Sequence, residues 1–202
     1  NFGVGIFDVN WLAYRLELFK LTTLKSLSSQ TNKNFDWYIF VHKDMPKVIL
    51  NLLGESLHGI GVRVFLTPVE SYDLIQGEIT NIKSKISSEF LISSRVDDDD
   101  LVYVDAVRDI QRKFTAKEKD FSLISLNNGA DYLPEDNVAV KRDSESIAIM
   151  LSLISIRLEN GGYHSINEFA HHMVIDTLAK FKIDCEYCPI ESDKPLYFYI
   201  KH

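Results

Sequence analysis

Four consecutive carboxylates, Asp97-Asp98-Asp99-Asp100, are the densest chemistry in the chain, and they directly follow Arg95-Val96 at the end of the run FLISSRV. Adjacent like charges at ~4 Å repel by about 1 kcal/mol in water and by about 4 kcal/mol at an effective dielectric near 20. A half-buried turn carrying four of them therefore needs a counter-charge. A divalent cation supplies one, because hard oxygen ligands suit Mg²⁺ and Mn²⁺. Such an ion keeps positions open for phosphate oxygens and neutralises the charge building on a leaving diphosphate. The same residues have a plain structural reading. Asp100 suits the N-cap of a helix beginning at Leu101, Asp98 or Asp99 would favour that helix's dipole, and acidic runs are often solvated surface.

The elements that must position this turn decide between the two. Leu12, Leu16, Phe19, Thr23 and Leu27 keep helical spacing, which predicts an amphipathic helix over residues 11–29. Phe35 to Val41 (FDWYIFV) is an aromatic and β-branched strand pattern. A helix from Pro46 to Leu57 follows, with Pro46 tolerated in its first turn, then a strand from Gly61 to Leu66. Ile75, Ile79, Ile82 and Ile86 mark the next helical face, Phe90 to Val96 the next strand, and Tyr103, Val107, Ile110 and Phe114 another helix. This alternation predicts an α/β fold with a mixed, mostly parallel central sheet covered by helices. Ligands of such sheets sit outside the carboxyl ends of the strands, and the acidic run lies at such an end.

The last third adds strands at Phe121 to Leu126, Asn137 to Lys141, Ile183 to Tyr187 and Leu196 to Lys201, around a turn holding Gly129 and Pro134. Ile147 to Ile156 reads as either strand or helix, and a short helix spans Ile166 to Leu178. We expect antiparallel strands here that build an acceptor side. The chain thus reads as one domain, 1–202, with a ligand-binding half (1–117) and an acceptor-side half (118–202). It begins at Asn1 and stops at His202 beside a strand-like run, which suggests a piece of something longer.

Composition narrows the function. Apolar residues are 46% and charged residues 25% of 202, a globular balance rather than a disordered one. The formal net charge is −7, so the basic field that non-specific nucleic-acid binding uses is absent. Cys185 and Cys188 form one Cys-x-x-Cys without the second pair that a zinc ribbon needs, and read as small residues near a buried strand. No run approaches the ~20 apolar residues of a membrane helix, and no signal peptide is visible. A cytoplasmic protein, free or peripheral to a membrane, is expected.

Ser94-Arg95-Val96-Asp97-Asp98-Asp99-Asp100-Leu101 resembles the Thr-Arg-Leu-Asp-x-Asp-Asp motif of the rhamnosyltransferase family, nucleotide-sugar-dependent glycosyltransferases of the GT-A fold. Asn1-Phe2 is similar to the tail of that family's opening strand. Trp11-Leu12, Arg15 and Leu18-Phe19 are similar to its first helix, and Ser26-Leu27, Gln30 and Asn34-Phe35-Asp36-Trp37 to the approach to its second strand. Pro195-Leu196-Tyr197 through Lys201-His202 resembles a terminal strand ending in His. The resemblance implies that Asp97 and Asp99 are the acids of an Asp-x-Asp motif for Mn²⁺ or Mg²⁺, with Asp99 holding the metal and Asp97 reaching the metal or the donor's ribose, and that His202 closes the metal site. Arg95 would face the diphosphate or brace the turn. Ser94 for Thr, Val96 for Leu and the extra Asp98 depart from the pattern, and Asp98 leaves a ligand pair of Asp98 with Asp100 open.

The resemblance further implies a nucleotide-diphosphate-sugar donor and a glycan or lipid-linked acceptor. Lys83, with Lys85 on the helix before the motif strand, would reach the donor diphosphate, or would be solvated. Asp44 would read the nucleobase, or would cap the helix at Pro46. An inverting reaction also needs a carboxylate base. Asp131, Glu135, Glu159, Glu168 and Glu191 are available, and Glu168, followed by Phe169-Ala170-His171-His172, is the candidate taken forward. His171 and His172 point about 100° apart on a helix and do not suit one ion. A nucleotidyltransferase lacks its Gly-rich loop, since Gly3 and Gly5 are too sparse. An inactive sugar-binding or scaffold domain is the non-enzymatic alternative.

Overall fold

A computed structural model describes residues 5, 7–116, 119–142, 149–169 and 173–201. The readings of Asn1-Phe2, His171, His172 and His202 fall outside these residues, as does the start of the Ile147–Ile156 run.

The amino-terminal segment forms two helices where the periodicity predicts one. α1 (Val9–Leu21) is capped by Asp8, whose carboxylate accepts from the Trp11 N–H at 2.8 Å, and it buries Leu12, Leu16 and Phe19. The chain leaves helical geometry at Thr22 (φ −113°, ψ −96°) and resumes as α2 (Thr23–Ser28). The Thr22 hydroxyl donates back to the Leu18 carbonyl at 2.7 Å, a local bond that competes with helix continuation. β1 (Asp36–His42) and β2 (Arg63–Val69) then pair in parallel around α3 (Lys47–Ser56), which starts directly after Pro46. α4 (Ile75–Ser84) leads into β3 (Phe90–Ser94).

Beyond β3 the pairing brings in the last third of the chain. β4 is Asp100–Val102, α5 is Ala106–Ala116, β5 is Phe121–Ile124, β6 is Gly129–Leu133 and β7 is Val138–Arg142. β8 (Ser152–Ile156), α6 (Val174–Lys180), β9 (Cys185–Tyr187) and β10 (Tyr197–Ile200) complete the chain. One sheet has the order β3-β8-β5-β9 and another β4-β10-β6-β7. The expected mixed α/β architecture is present, and parallel pairing holds for β1–β2, β5–β9 and β6–β10. Pairing is antiparallel at β3–β8, β5–β8, β4–β10 and β6–β7, so the antiparallel strands expected of the last third lie among the earlier ones.

Asp100 does not cap a helix, contrary to the structural reading of the acidic run. It opens β4, and α5 begins six residues later at Ala106. The reason is tertiary, because β10 supplies the ladder that makes Asp100–Val102 a strand, with Tyr199 opposite Asp100. Gly129, expected in a turn, opens the strand β6 instead, because it has no side chain and Tyr197 packs its ring where a Cβ would stand.

The core joins Leu16, Phe19, Leu24 and Leu27 of the first helices to Trp37, Val107, Ile110, Ile124, Ile154 and Tyr197. Fully burying each large apolar side chain contributes about 1.5–3 kcal/mol, so α1 and α2 are held firmly against the strands. Among the described residues no helix is long and apolar enough to cross a membrane. Burial pushes the Cys185 thiol up to about 11, as suits a small packing residue beside a strand.

Candidate active site

The acidic turn is built by the junction of α1 and α2. Thr23, buried, donates its hydroxyl to the Asp97 carbonyl at 2.7 Å, lies 3.0 Å from the Asp100 carbonyl, and accepts from the Asp100 N–H at 3.1 Å. The turn closes on itself, since the Asp97 N–H donates to the Asp100 carboxylate at 3.0 Å. Gln30, also buried, ties the end of α2 to the stretch after β4. Its amide donates to the Tyr103 carbonyl at 2.8 Å, and its oxygen accepts from the Val107 N–H at 3.0 Å. The break at Thr22 thus sets Thr23 against the turn. Thr23→Val keeps the shape but leaves these buried groups without their partner, and should cost about 1–3 kcal/mol in urea unfolding. An unchanged midpoint would show that the hydroxyl does not hold the turn.

The four aspartates have different surroundings. Asp100 is 3% exposed, and burial, opposed by the bond from Asp97 and reinforced by the neighbouring carboxylates, pushes its pKa up to about 7. It faces the backbone of its own turn, so it does not present an open carboxylate, and the pair Asp98 with Asp100 loses its footing. The Asp97 side chain is 52% exposed and contacts the Arg95 guanidinium at 3.5 Å. The Arg95 backbone N–H donates to the Leu151 carbonyl, just before β8, at 3.1 Å.

Asp98 and Asp99 share Arg15 of α1. Its Nε donates to one Asp98 oxygen at 3.2 Å and its Nη2 to the other, and Nη2 also meets Asp99 at 3.2 Å. Burial acts to lower the Arg15 pKa, but the bonds and charges of Asp98 and Asp99 outweigh it and hold it above its ordinary value. The sequence singled out Arg15 only through the resemblance. The signal that could have found it is the absence of any acid at three or four residues on either side: Trp11, Leu12, Leu18 and Phe19 leave its charge unanswered within α1.

The donor set suits a hard cation. No three His, Cys, Asp or Glu side chains gather into a ready-made cage among the described residues. An ion at Asp97 and Asp99 would therefore keep most of its positions for water and phosphate oxygens, the usual habit of Mg²⁺. The antiparallel register of β10 with β4, Tyr199 on Asp100, sets the end of β10 beside the acidic turn.

The remaining candidates have partners of their own. Lys83 and Glu168, read as donor ligand and base, meet each other in an ion pair, and Lys83 also donates to the Tyr163 carbonyl at 2.8 Å. Glu168 sits in a 3₁₀ turn, Ile166–Glu168, whose Ile166 N–H donates to Ser93 of β3 at 2.9 Å. Burial acts to raise the Glu168 pKa, but hydrogen bonds to Lys83 and to His164, at 3.0 Å, hold it below the usual carboxylate range. A folded pKa below the unfolded one adds stability above the ordinary Glu pKa, and that stability fades as pH falls through the folded value. Glu168→Gln should therefore cost about 1–2 kcal/mol at pH 7 and little at pH 3. A cost equal at both pH values would show that charge is not involved.

Asp44 is exposed after β1 and does not cap α3, whose N-cap, Pro46, receives no side-chain bond. Its N–H donates to His42 Nδ1 at 3.1 Å, and the His42 ring meets Phe7 edge-on at 4.8 Å. This group stands at the carboxyl ends of the parallel pair β1–β2.

The architecture has a known counterpart. The S. aureus TarS 1-349 chain, solved in complex with UDP-GlcNAc, superposes with a TM-score of 0.56 at 13% identity, covering 93% of this chain. The match covers 56% of the TarS chain, so this sequence spans little more than half of that protein's length. The fold is that of a GT-A glycosyltransferase. The chain belongs to the family described as "Putative rhamnosyl transferase", whose model matches residues 4–186. No curated protein matches the sequence.

Proposed function

We propose that this chain transfers a sugar, rhamnose by the family's name, from a nucleotide-diphosphate donor to a hydroxyl of a glycan or lipid-linked acceptor, with a divalent cation at the acidic turn. The observation that carries the reading is the turn itself. Asp97 is half exposed beside Arg95 and Asp99 meets Arg15, past the carboxyl end of β3, on a backbone fixed by Thr23. Asp97 and Asp99 would hold Mn²⁺ or Mg²⁺, with His202 the residue proposed to complete the set. When bound, the cation supplies charge neutralisation for the departing diphosphate.

The chain's own residues do the rest. Arg95, in contact with Asp97, adds a positive charge beside the diphosphate. Asp44 accepts a hydrogen bond from the nucleobase at the mouth of β1–β2. Lys83 and Glu168 neutralise one another, and a carboxylate held below its ordinary pKa is a weaker proton acceptor. Their geometry favours fixing the 163–168 segment against β3 over a direct part in the chemistry.

A thermal-shift panel of nucleoside-diphosphate sugars tests the reading, because a ligand that binds only the folded chain raises its Tm. One class of donor should raise Tm in Mn²⁺ and much less in EDTA. No shift with any donor, or pyrophosphate release from a nucleoside triphosphate and sugar phosphate, would contradict it.

A further inference from the structure

One face of the sheet β4-β10-β6-β7 gathers polar side chains that no step above employs. Gly129 and Asp131 of β6 lie opposite Tyr197 and Tyr199 of β10, and Arg142 of β7 lies opposite Gly129. Residues opposite one another in a ladder share a face, so Tyr197, Tyr199, Asp131 and Arg142 stand on the same side of the sheet. Tyr199 is also opposite Asp100, which sets this face beside the acidic turn. Arg142 and Lys201 stand over the Tyr199 ring, 5.1 and 5.0 Å from its centre. Both reach Asp131: Arg142 donates to Oδ1 at 3.2 Å, whereas Lys201 stays at ion-pair distance, 3.7 Å, from Oδ2. The Asp131 carboxylate, 29% exposed, is thus aimed by two cations and keeps an oxygen able to accept.

Tyr197 is 2% exposed, with its ring laid over Gly129, and its hydroxyl makes no hydrogen bond among the described residues. Burial raises its pKa above the ordinary value, Arg142 opposing and Asp131 and Asp100 reinforcing, so the hydroxyl keeps its proton within reach of these charges. A polar group so deeply placed is costly to leave unpaired. Resting on the transferase reading above, we propose that Tyr197 and Asp131 form a sugar-hydroxyl subsite beside the acidic turn, with Arg142 and Lys201 as positioning residues. Vicinal hydroxyls of a sugar ring donate to Asp131 Oδ2 and accept from the Tyr197 hydroxyl, a pairing that suits a group able to do both. An anionic ligand would have to face the Asp131 carboxylate, so neutral ring hydroxyls fit this face better. The transferred sugar and the accepting one share that chemistry, and the test separates them.

Wild type, Tyr197→Phe and Asp131→Asn are compared in two arms in Mn²⁺. Thermal shift measures affinity for UDP-, GDP- and dTDP-sugars, each beside its nucleoside diphosphate alone, and saturation-transfer NMR measures binding of methyl glycosides of rhamnose, glucose and N-acetylglucosamine. If the transferred sugar is read, donor affinity falls about fivefold in Tyr197→Phe and about tenfold in Asp131→Asn, the size of one hydrogen bond lost to a neutral and to a charged group. Affinity for the nucleoside diphosphate then stays unchanged. If the accepting sugar is read, the methyl glycoside signal falls by the same factors and donor affinity stays. Tyr197→Phe removes only an unpaired hydroxyl, so its ligand-free Tm should not fall, and it carries the test if Asp131→Asn does not fold. No response of folded Tyr197→Phe in either arm overturns the subsite, as does an equal loss for the nucleoside diphosphate or a lower ligand-free Tm. Wild type that binds no nucleoside-diphosphate sugar overturns the transferase reading itself, a separate and recognisable failure.

Discussion

Asp99→Ala should lower donor turnover in Mn²⁺ by about 10²–10³-fold, the range seen when one preorganised group that stabilises transition-state charge is removed. The loss should appear in kcat/KM, because the proposed cation both grips the diphosphate and stabilises its departure. The fold should survive, since Arg15 retains both oxygens of Asp98 and the turn's backbone bonds run through Thr23 and Asp100, not through the Asp99 side chain. Asp97→Ala should act in the same direction, with Arg95 losing its partner as well. Release of nucleoside diphosphate from the donor is the readout, with a melting curve to show that the variant is folded. Turnover within threefold of wild type would remove Asp99 from the chemistry.

The second large effect concerns stability and its pH dependence. Asp100 is buried, with a pKa pushed up to about 7 from an ordinary 3.8. Between those values the folded chain holds a proton that the unfolded chain has released, so stability falls as pH rises from about 4 to about 7 and levels off above. Asp100→Asn keeps an oxygen for the Asp97 N–H and removes the titration. In EDTA it should match wild type near pH 4 and exceed it above pH 7 by an amount of the order of a few kcal/mol. Urea midpoints across pH 4–8 measure it directly. A difference independent of pH, or one that favours wild type at high pH, would show that Asp100 stays ionised in the fold.

Much of this arrangement was legible in local sequence. FDWYIFV and FLISSRV announce β1 and β3 because aromatic and β-branched residues in short runs suit half-buried strands. The four aspartates announce themselves by mutual repulsion. What stayed hidden was set by residues far away. β4 is a strand because of Tyr197–Tyr199, and β6 because Tyr197 needs the space at Gly129. The break at Thr22 follows from a tertiary task, since Thr23 must face the acidic turn. Arg15 carries no motif of its own, and its role appears only once α1 is laid beside residues 98 and 99. Lys83 and Glu168, 85 residues apart, could each be assigned a separate task until the fold placed them together.

A structure of the chain soaked with Mn²⁺ and a nucleoside diphosphate tests the central claim most directly. The account predicts a metal peak at the acidic turn beside the Asp97 and Asp99 carboxylates, confirmed by anomalous scattering at the manganese edge. Nucleotide bound elsewhere, with no metal at the turn and Asp97 turned to solvent, would contradict it.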